Sequence, residues 1–301
     1  MRLGIDWGGT KIEIIALDDD GAELYRERLA TPRDDYDGCI EAVATLVINA
    51  EAHTGQTGTV GFGIPGSISP ATGLVKNANS TWMNGKPLDR DLEARLGRAV
   101  RIQNDANCLA VSEASDGAGA GCHFVHAIII GTGCGSGIAI NGKAHKGANG
   151  ISGEWGAIPV PWLKPEEFPG PSHWLGHPGA IDLWCSGTGF QADYTERSGS
   201  PLKGHEIMAM KRSGDPVATA AYEAYASRLA RSLAMSANLM DPDCFVLGGG
   251  MSNIEELYTD LPALMAPYIM SDIYEVPIRK AKHGDSSGVR GAAWLWNGWG
   301  N

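Results

Sequence analysis

The sequence predicts an α/β protein built from two related halves. Two stretches, GIDWGGTKIEII at 4–15 and IIGTGCGSGIAI at 129–140, share one pattern of strand, glycine-rich turn and returning strand. Strand-like and helix-like segments follow the first hairpin and recur after the second. A chain of 301 residues is long enough for two domains. The repeat therefore indicates two α/β halves with a cleft between them.

The first half begins with a hairpin and continues with strand–helix units. Apolar or β-branched runs of strand length are RLGID at 2–6, IEIIAL at 12–17, TVGFGI at 59–64 and VRIQ at 100–103. Apolar residues at helical spacing predict a helix over 38–52. The strand at 100–103 runs into NDAN, where either Asn104 or Asp105 could cap the next helix.

The second half repeats the hairpin and then departs from it. Its predicted strands are FVHAIII at 124–130, IAI at 138–140 and CFVLGGG at 244–250, which ends in glycines. Residues 146–185 are rich in glycine, proline and tryptophan and predict an irregular excursion. A long helix is predicted over 215–240. Its apolar stripe could form the face of a homodimer, although such stripes more often serve the core.

Composition limits the classes of function. The hydrophobic fraction of 43% and charged fraction of 20% are globular values, and the net charge is −11. An acidic chain without a basic patch, apart from RKAKH at 279–283, indicates no nucleic-acid partner. No apolar run is long enough for a membrane, and MRLGIDWGGT does not resemble a signal peptide. The scattered cysteines indicate reduced thiols, so we expect a cytoplasmic protein.

Three glycine turns are candidates for holding phosphate. Glycine lets the backbone approach a ligand closely, and a turn of inward-facing amides binds anions. DWGGTK at 6–11 adds a carboxylate, a hydroxyl and a cation, although a tight hairpin without a ligand has the same composition. GTGCGSG at 131–137 has more glycine than a simple reversal needs. LGGGM at 247–251 could face a nucleotide or merely let a helix pack closely.

Together these motifs resemble the ROK family of bacterial sugar kinases and are closest to its fructokinases of the manno(fructo)kinase type. The stretches that carry the resemblance are GIDWGGTK, GIPGSISP, NANSTW, QNDANCLAVSEA, IIGTGCGSGI, GEWG, LGGGMSN and GDSSGVRGAAW. The resemblance implies the two-domain sugar kinase/actin/Hsp70 ATPase fold, with two RNase H-like halves around a cleft. We expect an N-terminal domain over 1–118, rejoined by a helix at 287–298, and a C-terminal domain over 119–286.

The resemblance also implies a role for each motif. Asp105 matches the general base that accepts the proton of the sugar hydroxyl, although a helix cap is the alternative. The implied sugar contacts are Gly66, Asn79, Asn104, Glu154 and Asp182; without the family, Glu154 could be a surface carboxylate. The implied contacts of Mg²⁺ and ATP are Asp6, Gly8, Gly9, Thr10, Lys11, Thr132, Gly133, Gly135, Gly248, Gly249 and Gly250.

The segment 157–185 departs from the family pattern. Members commonly carry GEWGH followed by C-x-C-G-x-x-G-C-x-E, whose histidine and three cysteines bind structural zinc. Here Ala157 replaces the histidine, and the cysteine positions fall on His173, Leu175 and Ala180. Since zinc needs four nitrogen or sulfur ligands in a closed site, we expect none.

Two further expectations follow from this altered segment. A rebuilt zinc site from His173, His177 and Cys185 is the alternative to a site that has been lost. We expect Trp162, Trp174 and Trp184 to replace the metal by apolar packing.

The resemblance implies ATP-dependent conversion of D-fructose to fructose 6-phosphate. A kinase for another hexose, such as mannose or glucose, and a catalytically weak sugar sensor are alternatives, since Ala157 and the shorter Asp182 alter two sugar contacts. A ROK transcription regulator would carry an N-terminal helix-turn-helix, whereas the first phosphate motif here begins at Asp6. We therefore expect an enzyme with sugar and ATP as its small-molecule partners.

Overall fold

The computed structural model describes residues 1–297, the side chain of Asp285 excepted. The strands are β1 (Arg2–Trp7), β2 (Lys11–Leu17), β3 (Glu23–Ala30), β4 (Thr59–Ile64), β5 (Ser67–Ile68), β6 (Val75–Lys76), β7 (Val100–Asn104), β8 (Phe124–Ile130), β9 (Cys134–Ile140), β10 (Lys143–Ala144), β11 (Cys244–Gly248) and β12 (Ile278–Lys280). The helices are α1 (Tyr36–Thr54), α2 (Leu88–Leu96), α3 (Asp105–Ser115), α4 (Ile181–Cys185), α5 (Gly187–Ser198), α6 (Gly204–Arg212), α7 (Pro216–Met240), α8 (Glu256–Met265) and α9 (Ser287–Trp294). The chain is therefore an α/β protein, as the sequence predicts.

The two main sheets have equivalent strand orders. The first runs β3-β2-β1-β4-β7 and the second β10-β9-β8-β11-β12. In the first sheet β1 pairs antiparallel with β2 and parallel with β4, which pairs parallel with β7. The second sheet places its own hairpin strands and its later strands in the same order. The internal repeat read from the sequence is therefore a repeat of topology.

The carboxyl ends of β1, β4 and β7 meet at one edge of the first sheet. Asp6 lies opposite Gly63, and Ile64 lies opposite Asn104. Because the strands are parallel, the residues that leave this edge all emerge on the same side. Polar residues of the predicted site therefore follow neighbouring strands.

The chain divides into two compact units. Unit 1 contains residues 1–127, 137–153 and 282 onward, and unit 2 contains 128–136 and 154–281. The division passes through β8 and β9, and it differs from the boundary at 118/119 that we predict from the sequence. That boundary therefore remains a proposal. Helix α9 belongs to unit 1, and residue 298 of the predicted C-terminal helix lies outside the described residues.

In unit 1, helix α9 packs directly against the sheet. A Cβ at Gly4 would lie 2.1 Å from the carbonyl oxygen of Val289, and one at Gly61 would lie 2.0 Å from that of Ala292. Glycine normally weakens a strand, but here it lets a helix backbone reach the strand backbone. The central strands are consequently fixed by a helix far along the chain.

Unit 2 is organised around α7. Asp215 caps this helix by accepting from the backbone N–H of Ala218, and Pro216 occupies its first position. Its apolar stripe, which includes Leu229 and Leu233, is buried in the core of the unit. The stripe therefore serves the core, and a homodimer remains a prediction. Within residues 1–297, no helix combines the length and apolar character needed to cross a membrane.

Candidate active site

The first glycine turn joins β1 to β2 and is braced by the residue that follows β3. The amide of Gly8 donates to the carbonyl of Lys11 at 3.0 Å. Thr31 donates its hydroxyl to the carbonyl of Gly8 at 2.8 Å and its amide to the carbonyl of Thr10 at 3.1 Å. A Cβ at Gly9 would lie 3.2 Å from Ser80 Oγ. The turn is thus held in place, with Thr10 and Lys11 exposed at its tip.

Asp6 lies near the end of β1, next to this turn. Burial, followed by repulsion from Asp105 and Glu13, raises the pKa of Asp6 from 3.8 to about 6, against the attraction of Lys11 and Arg28. A buried carboxylate that repels two others gains by binding a cation. Asp6 is therefore suited to bind Mg²⁺, as the family pattern implies.

A row of charged residues extends from Asp6 across the first sheet. Asp6 pairs with Glu13 on β2, and Glu13 pairs with Arg28 on β3. Glu13 is only 2% exposed and accepts from Arg26 at 2.6 Å and Arg28 at 2.8 Å, with Lys11 at 3.5 Å. Sequence reasoning missed this row. The available signal is Glu13 itself, since one acid in a β-branched strand needs a buried partner.

The predicted base begins α3. Asn104, rather than Asp105, is the helix cap: its side-chain oxygen accepts from the backbone N–H of Ala106 at 2.9 Å. Asp105 is the first helical residue, is exposed, and its Oδ1 accepts from the same N–H at 2.8 Å. The capping position that was the alternative for Asp105 is therefore taken by its neighbour.

Two of the sugar contacts predicted in unit 1, Gly66 and Asn79, lie on adjoining loops. Gly66 has φ +154°, and a Cβ there would lie 2.8 Å from the carbonyl oxygen of Lys76, so the loops touch through their backbones. Asn84 accepts from the amide of Ala78 at 2.9 Å and donates to its carbonyl at 3.0 Å. This pair fixes the segment that carries exposed Asn79. The sequence did not identify Asn84 as the residue that holds this segment in place.

Asp6→Asn should stabilise the ligand-free protein at pH 8. The folded-state pKa of Asp6 is about 6 against an ordinary 3.8, so its contribution to stability is complete below pH 3.8 and is lost as the pH rises through 6. At pH 8 the ionised carboxylate costs up to about 3 kcal/mol, which asparagine removes. Calorimetric melting at pH 8 and pH 5 should show a gain that shrinks at the lower pH. Exposed Asp37→Asn is the control, and a less stable Asp6→Asn protein at pH 8 would contradict the explanation.

The second glycine turn, between β8 and β9, lies in unit 2. The amide of Gly131 donates to the carbonyl of Gly133 at 2.9 Å, and the amide of Gly187 donates to the carbonyl of Gly131 at 2.7 Å. Thr132 and Gly133 are exposed at the tip. A Cβ at Gly135 would meet no described heavy atom within 4 Å, so packing does not require glycine there. Open space over a glycine is what close approach of a ligand needs.

The third glycine turn follows β11, also in unit 2. Gly248 is buried at the end of the strand. Gly249 has φ +80°, and a Cβ there would lie 2.6 Å from the carbonyl oxygen of Ile130, so packing explains this glycine. Gly250 has open space among the described atoms, and its carbonyl accepts from Asn253 Nδ2 at 3.2 Å. Gly250 therefore has room for a ligand to approach its backbone.

The two sugar contacts predicted in unit 2, Glu154 and Asp182, lie in different surroundings. Glu154 is exposed at the start of a 3-10 turn over Trp155–Ala157. Asp182, in the first turn of α4, accepts from the backbone N–H of Cys134 through Oδ1. Its carboxylate therefore contacts the second glycine turn.

The structure does not assemble the alternative zinc site. The rings of His173 and His177 stack at 5.1 Å, and His173 Nδ1 accepts from the amide of Leu175 at 3.2 Å. Cys185 is buried on α4. Among the described side chains, no group of three or more His, Cys, Asp or Glu is placed to hold a metal ion.

The segment 157–185 is held by a buried ion network. Glu167 accepts from Arg231 at 2.6 and 2.8 Å and from Arg228 at 3.0 Å. Arg231 also donates to the carbonyls of Pro161 and Trp162. These bonds join the segment to α7. The sequence did not indicate them, because Glu167 is next to another glutamate and nothing in the pattern distinguishes the two.

The expected tryptophan packing is wrong for two of its three residues. Trp174 is 81% exposed and Trp162 is 49% exposed. Trp184 alone of the three is half-buried, beneath the guanidinium of Arg228 at 3.7 Å. The segment is anchored instead by the bonds of Arg228 and Arg231 to Glu167 and to backbone carbonyls, which need no buried indole ring.

Absence of structural zinc remains a prediction. Leu175, Ala180 and Ala157 cannot ligate metal, and the loop already has non-metal anchors. Elemental analysis of protein purified without an affinity tag should find well under one zinc per chain. A zinc-selective chelator should leave the melting temperature unchanged. Stoichiometric zinc, or a chelator-induced loss of stability, would contradict this.

Known proteins resemble this chain over nearly its whole length. The ROK family pattern matches residues 2–298. A relative named N-acetyl-D-glucosamine kinase, from Haemophilus influenzae (strain 86-028NP), is 39% identical, covering 98% of this chain and 99% of the relative. The crystal structure of ROK hexokinase from Thermus thermophilus is 29% identical with a TM-score of 0.86, covering 98% of this chain and 97% of that one. A ROK family glucokinase from Streptomyces griseus, solved with glucose and AMPPNP, is 29% identical with a TM-score of 0.74, covering 98% of each chain.

Proposed function

Since the chain belongs to the ROK family and is an ATP-dependent sugar kinase, we propose that it phosphorylates a hexose of the N-acetyl-D-glucosamine type, with Asp105 as general base. The observation that carries the proposal is the placement of Asp105 near Asp6 at the carboxyl edge of the first sheet. The glycine turn of residues 8–10 leaves the same edge. Phosphoryl transfer needs a base, charge neutralisation and positioning, and this edge offers residues for each.

In this proposal Asp105 accepts the proton of the attacking sugar hydroxyl. The hydroxyl oxygen bonds to the γ-phosphorus as the bond between that phosphorus and the bridging oxygen of ADP breaks. Asn104 is committed to the cap through its oxygen, so its amide nitrogen remains to donate to a sugar oxygen. Asn79 and Gly66 contribute from the two adjoining loops. Because Asp105 is fixed at the start of a helix, little reorganisation is needed at the moment of reaction.

Within unit 1, Asp6 and the first glycine turn offer groups for charge neutralisation. Mg²⁺ would be held at Asp6 and would neutralise the charge of the transferred phosphoryl group. Lys11 and Thr10 are exposed at the tip of the first turn, and Lys11 is held near Glu13. Within unit 2, Thr132, Gly133 and Gly135 form a second turn for phosphate, and Gly250 offers open backbone for the adenosine.

Two sugars are candidate substrates. The relative with 39% identity is named for N-acetyl-D-glucosamine, and the two solved structures are named a hexokinase and a glucokinase. D-Fructose, predicted from sequence resemblance, is unconfirmed and stays a second candidate. Ala157 removes one family contact and Asp182 contacts the glycine turn, so preferences of relatives need not transfer unchanged.

A coupled assay of ADP release tests the function. N-Acetyl-D-glucosamine, D-glucose, D-mannose, D-fructose and N-acetyl-D-mannosamine should be compared at equal concentrations, with product identified by mass spectrometry. We expect the highest kcat/KM with N-acetyl-D-glucosamine. A higher value with fructose would restore the sequence-based prediction. Sugar binding without ADP release from any sugar would identify a sensor and overturn the kinase proposal.

A further inference from the structure

Asp182 is joined to the second glycine turn by contacts that its predicted sugar role does not explain. Its Oδ1 accepts from the amide of Cys134, the first residue of β9. A Cβ at Gly133 would lie 2.8 Å from the same oxygen. The carboxylate therefore lies against the turn at two successive residues. Gly133 is required by this contact, whereas Gly135 has open space above it.

The surrounding backbone leaves little freedom for that carboxylate. A Cβ at Gly156 would lie 2.4 Å from the carbonyl oxygen of Cys134 and 3.4 Å from Cβ of Asp182. The 3-10 turn, the start of β9 and Asp182 are thus in close contact. An aspartate fits this space with its oxygen on the Cys134 amide. A glutamate, one methylene longer, would have to displace the turn or point elsewhere.

We propose that Asp182 is a positioning residue that holds the nucleotide-phosphate turn 131–135, in place of the sugar contact that the sequence predicts. The inference rests on the proposed function, because it assumes that this turn binds the phosphates of ATP. A hydrogen bond to a carboxylate is among the stronger ones in proteins. Placed against the turn, it keeps the exposed Thr132 and Gly133 in one conformation before the ligand arrives. Ordering a loop before binding increases the affinity for the ligand.

The negative charge of Asp182 allows its positioning role to be separated from an electrostatic effect on the ligand. A carboxylate near a phosphate site repels the ligand, so its benefit has to come from holding the backbone. Asp182→Ala removes both the charge and the acceptor. Asp182→Asn removes only the charge, and its amide oxygen can still accept from Cys134. The two variants therefore separate positioning from electrostatics.

Direct binding measures the effect without turnover. Calorimetric titration with Mg²⁺ and AMPPNP should give a Kd for Asp182→Ala raised about 10-fold or more, the usual scale of a lost charged hydrogen bond. Asp182→Asn should stay within about threefold of wild type, and Asp182→Glu should resemble the alanine variant. The Kd for the sugar should change less than twofold in all three. Glu223→Gln, exposed on α7, is the control.

The opposite pattern overturns the inference. A sugar Kd raised tenfold with unchanged AMPPNP binding would return Asp182 to the sugar site. Equal loss of AMPPNP affinity in the asparagine and alanine variants would show that charge, and not the acceptor, matters. If Asp182→Ala does not fold, the comparison of Asp182→Asn with Asp182→Glu tests the inference. Both side chains keep an accepting oxygen, but the glutamate is one methylene longer. A wild-type protein that binds AMPPNP but phosphorylates no sugar refutes the proposed function, while the Kd comparison still tests Asp182.

Discussion

Asp105→Asn is expected to lower kcat by roughly 100-fold to 10,000-fold, the range typical for loss of a general base. The substitution keeps the shape of the side chain and an oxygen that can accept from the amide of Ala106. The helix cap is unaffected, because it belongs to Asn104. What asparagine cannot do is take a proton from the sugar hydroxyl. ADP release with the preferred sugar, measured at saturating substrates, gives the change in kcat.

Two checks make that result specific. Asp37→Asn removes a comparable first-turn carboxylate from α1 and should leave kcat unchanged. The melting temperature of Asp105→Asn should remain close to that of wild type, since the side chain is exposed and asparagine has the same size. A variant with kcat within threefold of wild type would remove Asp105 from the mechanism. Loss of turnover together with unfolding would instead assign it a structural role.

Glu167→Gln is expected to destabilise the protein by about 3 to 5 kcal/mol, because it leaves the buried Arg231 without its counter-charge, whereas Arg228 keeps Asp193. Arg231 is fully buried and donates to both carboxylate oxygens of Glu167, and Arg228 donates to one. Burial alone would raise the pKa of Glu167, but the hydrogen bond from Arg231 and the nearby charges lower it below 4.5. The contribution is therefore present above pH 4.5 and is lost as the pH falls through the lowered value. A fall in melting temperature on the order of 10 °C at pH 7 is expected.

The neighbouring residue provides a matched control for this prediction. Glu166 is exposed, so Glu166→Gln should change the melting temperature by no more than about 1 °C, as surface substitutions usually do. The double variant Glu167→Gln with Arg231→Met should recover part of the loss, because it removes the charge that the glutamine leaves unpaired. Equal effects of the two glutamine substitutions would show that the network contributes nothing to stability.

Sequence patterns predicted most of the fold because its central elements have strong local signals. The strand Thr59–Ile64 matches the predicted 59–64, and α7 over Pro216–Met240 follows the predicted 215–240 closely. Strand β3 was missed because its residues, ELYRERLA, are largely charged and half-exposed. Its arginines form ion pairs with Glu13 on the neighbouring strand β2. No local sequence pattern shows such a contact between strands. Helix α8 was missed since Pro262 interrupts a short apolar run.

The residues of the candidate site also fall into two groups. Short sequence motifs identify some of them, and long-range contacts in the folded chain determine the others. Asp6, Asn104 and Asp105 could be named from short motifs, and the strand register explains why they meet at one edge. Asn84 and Glu167 act through partners that are fixed only by folding. The role of Asp182 depends on a side-chain length of one methylene relative to the turn. Such differences are set by packing distances, which residue types at a given spacing do not encode.

The packing of α9 on β1 and β4 has a consequence for the order of events during synthesis. The first strands leave the ribosome early, but the backbone that fits against Gly4 and Gly61 is translated only after unit 2 is complete. Until then Ile15 and Leu17, on one face of the first sheet, lack the α9 side chains that they pack against. A nascent chain halted before residue 287 should therefore expose this apolar face, and chaperones that recognise such surfaces should stay bound to it.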